Sequence, residues 1–331
     1  MPSGLVEKAV TVRASPLPVE LGPGPFTTGQ ARGLGVPAQR LSRGDLVHPT
    51  RGVHTLTGPR TLFERAEAYQ RGLPCERAFS HLTAAVLWGL PLPACLEARV
   101  ARADAPLDVI APTSDGMAQR RGIVGHRGLE WRAVGTPPGS ALRVVDVADT
   151  WCDLGELPRG MLTFTDLVVA GDAAVALLDA SSDRPVGVAL LRAALRHRNR
   201  PRGAVALRHA LTLVRPGVRS PMETRARLMF VDCGFPEPEV NAPITDAAGE
   251  WVAEGDLVWR RQQVVGEYQG EHHAERSRRS SDSFRRRLVE DLGWFVGELW
   301  AADVYRRPRR IATLTRFARE LDLHPASLRI A

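Results

Sequence analysis

Two short apolar runs near the C-terminus, WVAEGDLVW at 251–259 and VVGEYQG at 264–270, are separated by only the four residues Arg260–Gln263. A connection that short demands antiparallel pairing of the two strands, because a parallel crossover needs a dozen residues or more. Each run carries an acid in its interior, Asp256 in the first and Glu267 eleven residues later in the second. Glu267 and Gln269 are two apart and share a face of their strand. A carboxylate on a strand built from Val, Gly and Tyr is costly unless something pairs with it. Mg²⁺ or Mn²⁺, bound through carboxylate oxygens and water, would supply that pairing.

The elements around this hairpin follow from caps and breakers. SPMETRARLMFVDCG reads as a helix with Ser220 as N-cap, Pro221 at its first position and Gly234 just past its end. PEPEVNAPIT is extended, AERSRRSSDSFRRRLVEDLG is a long basic helix closed by Gly293, WFVGELW is a strand, and PRRIATLTRFARELD is a final helix. The order over 220–331 is α-β-β-β-α-β-α. Glu223 stands three residues after Ser220, the spacing of a capping box. It is therefore a cap, a group aimed at the acidic hairpin, or both.

Upstream, residues 1–25 are rich in Pro and Gly and read as a flexible arm. Residues 26–60 predict a short helix, a tight turn at Gly35, a second helix after Pro37 and the hairpin LVHPTRGVHTL, which is the plan of a winged helix-turn-helix. Residues 61–215 predict a middle α/β domain. It runs from a helical stretch over 61–90 (Ser80 as cap, Pro91 as stop), through short strands over 107–151, to helices over 153–214 broken by the basic loop RHRNRPRG. His81 and His126 read as packing or capping residues. The fold class is α+β.

A hydrophobic content of 44% suffices for real cores, and no apolar run approaches the length of about 18–20 residues that spans a bilayer. The N-terminus lacks the apolar segment of a secretion signal, so a cytoplasmic protein with no membrane partner is expected. The four cysteines have no zinc-ligand spacing and read as small buried hydrophobes. A net charge of +7 favours an anionic partner. Lys8 is the only lysine, which rules out lysine chemistry anywhere else.

The run EGDLVWRRQQVVGEYQGEHH, followed by SDSFRRRLVEDLGW, resembles the PD-(D/E)xK nucleases, in the branch related to very-short-patch-repair endonucleases. The resemblance covers 220–321. It implies that Asp256 and Glu267 hold a Mg²⁺ or Mn²⁺ ion, that Glu223 assists from the helix, and that His272 or His273 acts on water or phosphate. Gln269 stands where that family carries lysine; a glutamine can orient a water but brings no positive charge. The arginine-rich helix, with Arg279, Arg285 and Arg286, is either a solvated face or a phosphate-contacting one. FTTGQARGLGVP with LVHPTRGVHTL, then AFSHLTAAVLWGLPLP, is similar to the N-terminal region of AbiEi-type antitoxins of type IV toxin–antitoxin systems. That likeness implies operator DNA on the winged helix, through Arg40, Arg43 and Arg51, and a cognate toxin as partner. Two functions follow. One is a metal-dependent DNA endonuclease or nicking enzyme recruited by the winged helix. The other is a DNA-binding antitoxin or repressor whose nuclease fold is inactive.

Overall fold

A computed structural model describes residues 14–113, 120–198, 201–270 and 276–330. The fold is mixed α and β, and the chain divides into two compact units, Met1–Trp88 with Ala94–Asp146, and Gly89–Pro93 with Val147–Ala331. Among the described residues no helix is long and apolar enough to cross a membrane.

In the first unit, β1 (Phe26–Thr27) runs into α1 (Thr28–Gly33). Thr27 and Gln30 cap each other: Thr27 Oγ1 accepts the Gln30 N–H at 3.1 Å, and Gln30 Oε1 accepts the Thr27 N–H at 2.8 Å. Then come α2 (Ala38–Leu41), β2 (Val47–Thr50) and β3 (Val53–Thr55), in a small sheet of order β1-β3-β2. Phe26, Ala31, Val36, Leu41 and Leu46 form its core. Arg40 does not join the exposed arginines expected here. It is 7% exposed, its guanidinium is gripped by both oxygens of Asp45 at 2.8 and 3.0 Å, and its Nε donates to the Ser15 carbonyl. Its position on the inner side of α2 makes it a structural strut, which corrects its assignment to DNA contact. Arg43 and Arg51 are exposed.

The same unit continues with α3 (Leu62–Arg71), β4 (Ala78–Phe79), α4 (His81–Trp88), α5 (Ala94–Ala101), β5 (Leu107–Ala111), β6 (Ile123–Arg127), β7 (Val134–Gly135) and β8 (Val144–Val145). The stretch 61–90 is thus two helices around a strand. Phe79 pairs with Val109 on one side and Val144 on the other, which makes β4 the centre of a sheet ordered β6-β5-β4-β8-β7.

The second unit opens with α6 (Val147–Leu154), α7 (Phe164–Ala180), α8 (Gly187–His197) and α9 (Ala204–Leu213). It continues with α10 (Pro221–Asp232), β9 (Glu239–Thr245), β10 (Trp251–Trp259), β11 (Val264–Tyr268), α11 (Arg276–Asp291), β12 (Phe295–Leu299), α12 (Ala301–Tyr305) and α13 (Arg307–Glu320). The expected middle domain over 61–215 is therefore divided at Val147, and its helices belong with the C-terminal sheet. The reason is a buried polar knot. Asp172 of α7 accepts from Thr224 Oγ1 at 2.8 Å and Arg227 Nη2 at 3.0 Å, both on α10, and from the Arg215 N–H at 2.8 Å. Burial pushes the Asp172 carboxyl above its usual range, against the pull of Arg227. Of the cysteines only Cys152, on α6, is buried; Cys75 and Cys95 are exposed, contrary to expectation.

The sheet of this unit has the order β12-β11-β10-β9, antiparallel except for the β11–β12 pair. One face packs Leu257, Trp259, Val264 and Leu299 against Phe230 of α10 and Leu314 and Phe317 of α13. The other packs Val258, Val265 and Val296 against Val289 of α11. Paired glycines let α13 come close: a Cβ on Gly297 would sit 2.5 Å from the Phe317 ring, and one on Gly266 would sit 3.5 Å from it.

Candidate functional site at the end of the sheet of the second unit

Val258, Val265 and Val296 are aligned across β10, β11 and β12. Two residues further along each strand, the apolar row gives way to acids. Glu267 is in register with Glu298, and the β10–β11 register, continued by one pair beyond Leu257–Gly266, sets Asp256 across from Glu267. Strict alternation breaks at this point. A Cβ on Gly255 would meet Val258 and Val265 at 2.9 and 2.8 Å, so residues 255 and 258 face the same way although three positions apart. The irregularity turns Asp256 toward the edge of β11, where its Oδ2 accepts the Tyr268 N–H at 2.7 Å.

The Asp256 carboxyl is pushed up from 3.8 to about 6, chiefly by burial, with the charges of Glu223 and Glu254 adding to it. The Tyr268 N–H and Arg219 work in the opposite direction without cancelling it. Arg219 is itself held in an ion pair with Glu254. A half-buried acid whose charged form is disfavoured by burial and, to a lesser extent, by neighbouring acids is a place where a cation would be welcome.

Glu223 is 8% exposed and its cap is only half made. Ser220 Oγ accepts the Glu223 N–H at 3.2 Å, but the carboxylate does not return to the Ser220 backbone. Its Oε2 accepts instead from the Arg219 N–H at 3.0 Å and from Asn241 Nδ2 at 2.7 Å. Asn241 is the residue the sequence did not single out. It lies on β9 across from Asp256 in the register, at a positive φ of 46°, and also donates to the Gly217 carbonyl at 2.9 Å. Asparagine tolerates that left-handed backbone better than most residues, which was the only available signal.

Glu223 thus lies close enough to Asp256 to act on its charge, and the extended register sets Asp256 across from Glu267, although the three do not form a closed cage. Among the described residues these three carboxylates are not a set with one oxygen each all within 4.8 Å of one another. Gln269 is half-buried and its N–H donates to the Leu299 carbonyl at 2.7 Å, continuing the β11–β12 ladder. His272, His273 and the side chain of Arg279 lie outside the described residues. Arg285 is exposed. Arg286 is engaged by Glu290 at 2.8 Å and by Glu298 of the acidic row at 2.5 Å, a commitment absent from its expected role as a free phosphate contact.

In the first unit, His81 and His126 do pack as expected, with ring centroids 3.7 Å apart. Asp108 supports the stack, lying 2.9 Å from His126 Nε2 and accepting from the Thr83 hydroxyl at 3.2 Å.

No family model matches the chain. A stretch of 123 residues is 37% identical to an uncharacterized protein of Mycobacterium tuberculosis strain CDC 1551 / Oshkosh, and equally to one of strain ATCC 25618 / H37Rv. That stretch is 37% of this chain and 44% of each relative, so the chain spans less than half the length of the relatives it matches.

Proposed function

We propose that the second unit is a PD-(D/E)xK-type endonuclease domain that cuts or nicks DNA with Mg²⁺ or Mn²⁺. On this reading it acts in the cytoplasm and is recruited by a winged helix formed from α1, α2 and the β2–β3 hairpin. The observation that carries the reading is the Asp256 carboxyl, raised to about 6, beside Glu223 and across the strand pair from Glu267. The donor set fits the ion. It is all oxygen, as Mg²⁺ prefers, and the one hydrogen bond Tyr268 makes to Asp256 engages Oδ2, leaving Oδ1 for a ligand. When bound, such an ion lowers the pKa of water and offsets charge on a phosphodiester. Asp256 and Glu267 would hold it. The Arg219 N–H and Asn241 fix the Glu223 carboxylate, and Gln269 would orient a water without supplying charge. Arg43, Arg51 and Arg285 would lie against backbone phosphates. The test is incubation of the purified chain with supercoiled plasmid in Mg²⁺, Mn²⁺ or EDTA. Nicked or linear product with metal and none with EDTA is expected; intact plasmid in every arm rejects the enzyme.

One observation favours a second reading, a DNA-binding antitoxin or repressor partnered by a toxin. Gln269 occupies the lysine position, and Lys8 is the only lysine in the chain. Specific, metal-independent binding to its own promoter together with intact plasmid would establish that alternative.

A further inference from the structure

Between α8 and α9 the second unit holds a cavity of about 770 Å³, none of whose lining belongs to the sheet-end site. That volume is within the range of small-molecule sites, roughly 300–1,000 Å³. Arg192 and Arg196 stand one helical turn apart on α8 and so share a side of it, and Arg208 reaches the same space from α9. Leu195, Pro201 and Leu211 supply an apolar wall.

The arginines of this cleft are of two kinds. Arg198 is buried and pinned by Asp149 at 3.0 Å, Asp153 at 2.7 Å and Glu156 at 2.9 Å; it is part of the scaffold. Arg192, Arg196 and Arg208 are exposed, and among the described residues no carboxylate pairs with any of them. Three unneutralised guanidiniums around one concavity repel one another, a cost an anion removes. Guanidinium offers paired donors to phosphate oxygens, and an aliphatic wall offers apolar contact to the face of a base.

We propose that the α8–α9 cleft is a nucleotide-unit site, taking phosphate on Arg192, Arg196 and Arg208 and a base against Leu195, Pro201 and Leu211. The occupant presents one chemistry with two sources, the end of a single-stranded nucleic acid or a free nucleotide. The site stands whether or not the sheet-end carboxylates cut.

The experiment uses the full chain carrying Asp256→Asn, in EDTA, so that cleavage plays no part. A fluorescent, 5′-phosphorylated ten-nucleotide DNA strand and dAMP are each titrated, by anisotropy and calorimetry respectively. Arg192→Glu with Arg208→Glu should weaken strand binding at least tenfold. It should also lower the slope of log affinity against log salt by about 1.4, for two contacts at roughly 0.7 each. Arg159→Glu with Arg184→Glu, the same charge change at exposed positions of the same unit, should leave both within twofold. Arginine-dependent binding of the strand alone names the strand as occupant; arginine-dependent binding of dAMP as well names the nucleotide. If the two double variants lose affinity equally, or neither ligand binds, the site is rejected. Should the glutamate variant melt early, Arg192→Gln with Arg208→Gln must show the same direction of loss.

Discussion

The Tyr268 N–H donates to Asp256 Oδ2 at 2.7 Å, so the strand that carries Glu267 also holds the carboxylate across from it. The bond orients an acid whose carboxyl burial and neighbouring charge push upward, and it works against that shift.

Asp256→Asn should lower metal-dependent cleavage more than about 100-fold, the scale of removing one preorganised charge, while DNA affinity in EDTA changes little. On the proposed nuclease reading, Gln269→Lys should preserve or raise cleavage by supplying the cation that the resembling family carries at that position. Plasmid nicking and anisotropy on the same preparations read both effects. A wild-type rate retained by Asp256→Asn would exclude Asp256 as a ligand.

The pH dependence has a definite sign. A carboxyl raised from 3.8 to about 6 in the folded chain binds a proton over that window which the unfolded chain has released. The contribution of Asp256 to stability therefore falls as pH climbs from about 4 to about 6, then levels. Asp256→Asn should flatten this segment of the melting-temperature profile without metal. Mg²⁺ selects the ionised form, so its stabilising effect should grow through the same window and plateau above it. Thermal melts across pH, with and without Mg²⁺, check both.

In the first unit, Arg51→Ala and Arg43→Ala should weaken DNA binding and reduce its salt dependence with little effect on melting. Arg40→Ala should do the reverse. It leaves the half-exposed Asp45 unpaired and the Ser15 carbonyl without its donor, so stability should drop by roughly 1–3 kcal/mol. Urea melts and filter binding separate the two classes.

The knot that joins α7 to α10 should be costly to break. Arg227→Ala leaves Asp172 buried with its charge uncompensated, and a loss of about 3–5 kcal/mol follows in denaturant titration. Arg227→Ala paired with Asp172→Ala should recover part of that loss.

Gly297→Ala should destabilise by about 1–3 kcal/mol, because its methyl group would collide with the Phe317 ring that holds α13 on the sheet. Chemical denaturation of the single variant measures it, and Gly297→Ala with Phe317→Leu should be milder than the sum of its parts.

Much of the C-terminal order of elements was legible in the chain itself, because local interactions determine it. Ser220 caps α10, Gly293 closes α11 at φ 85°, and four residues between two strands leave no option but a hairpin. The candidates Asp256 and Glu267 could be singled out because they interrupt two apolar strands, whereas Glu223 stood at a capping position whose spacing left its role open. Contacts between residues far apart in the chain were not legible. No local pattern reveals that Arg40 turns inward to Asp45 and Ser15, that Asn241 reaches Glu223, or that Glu298 completes an acidic row and claims Arg286. Nor could periodicity assign α6–α9 to the second unit, because the Asp172–Arg227 bond spans 55 residues. Propensity and capping energies act within a few residues, whereas burial of a charge is decided by whatever the finished fold brings against it.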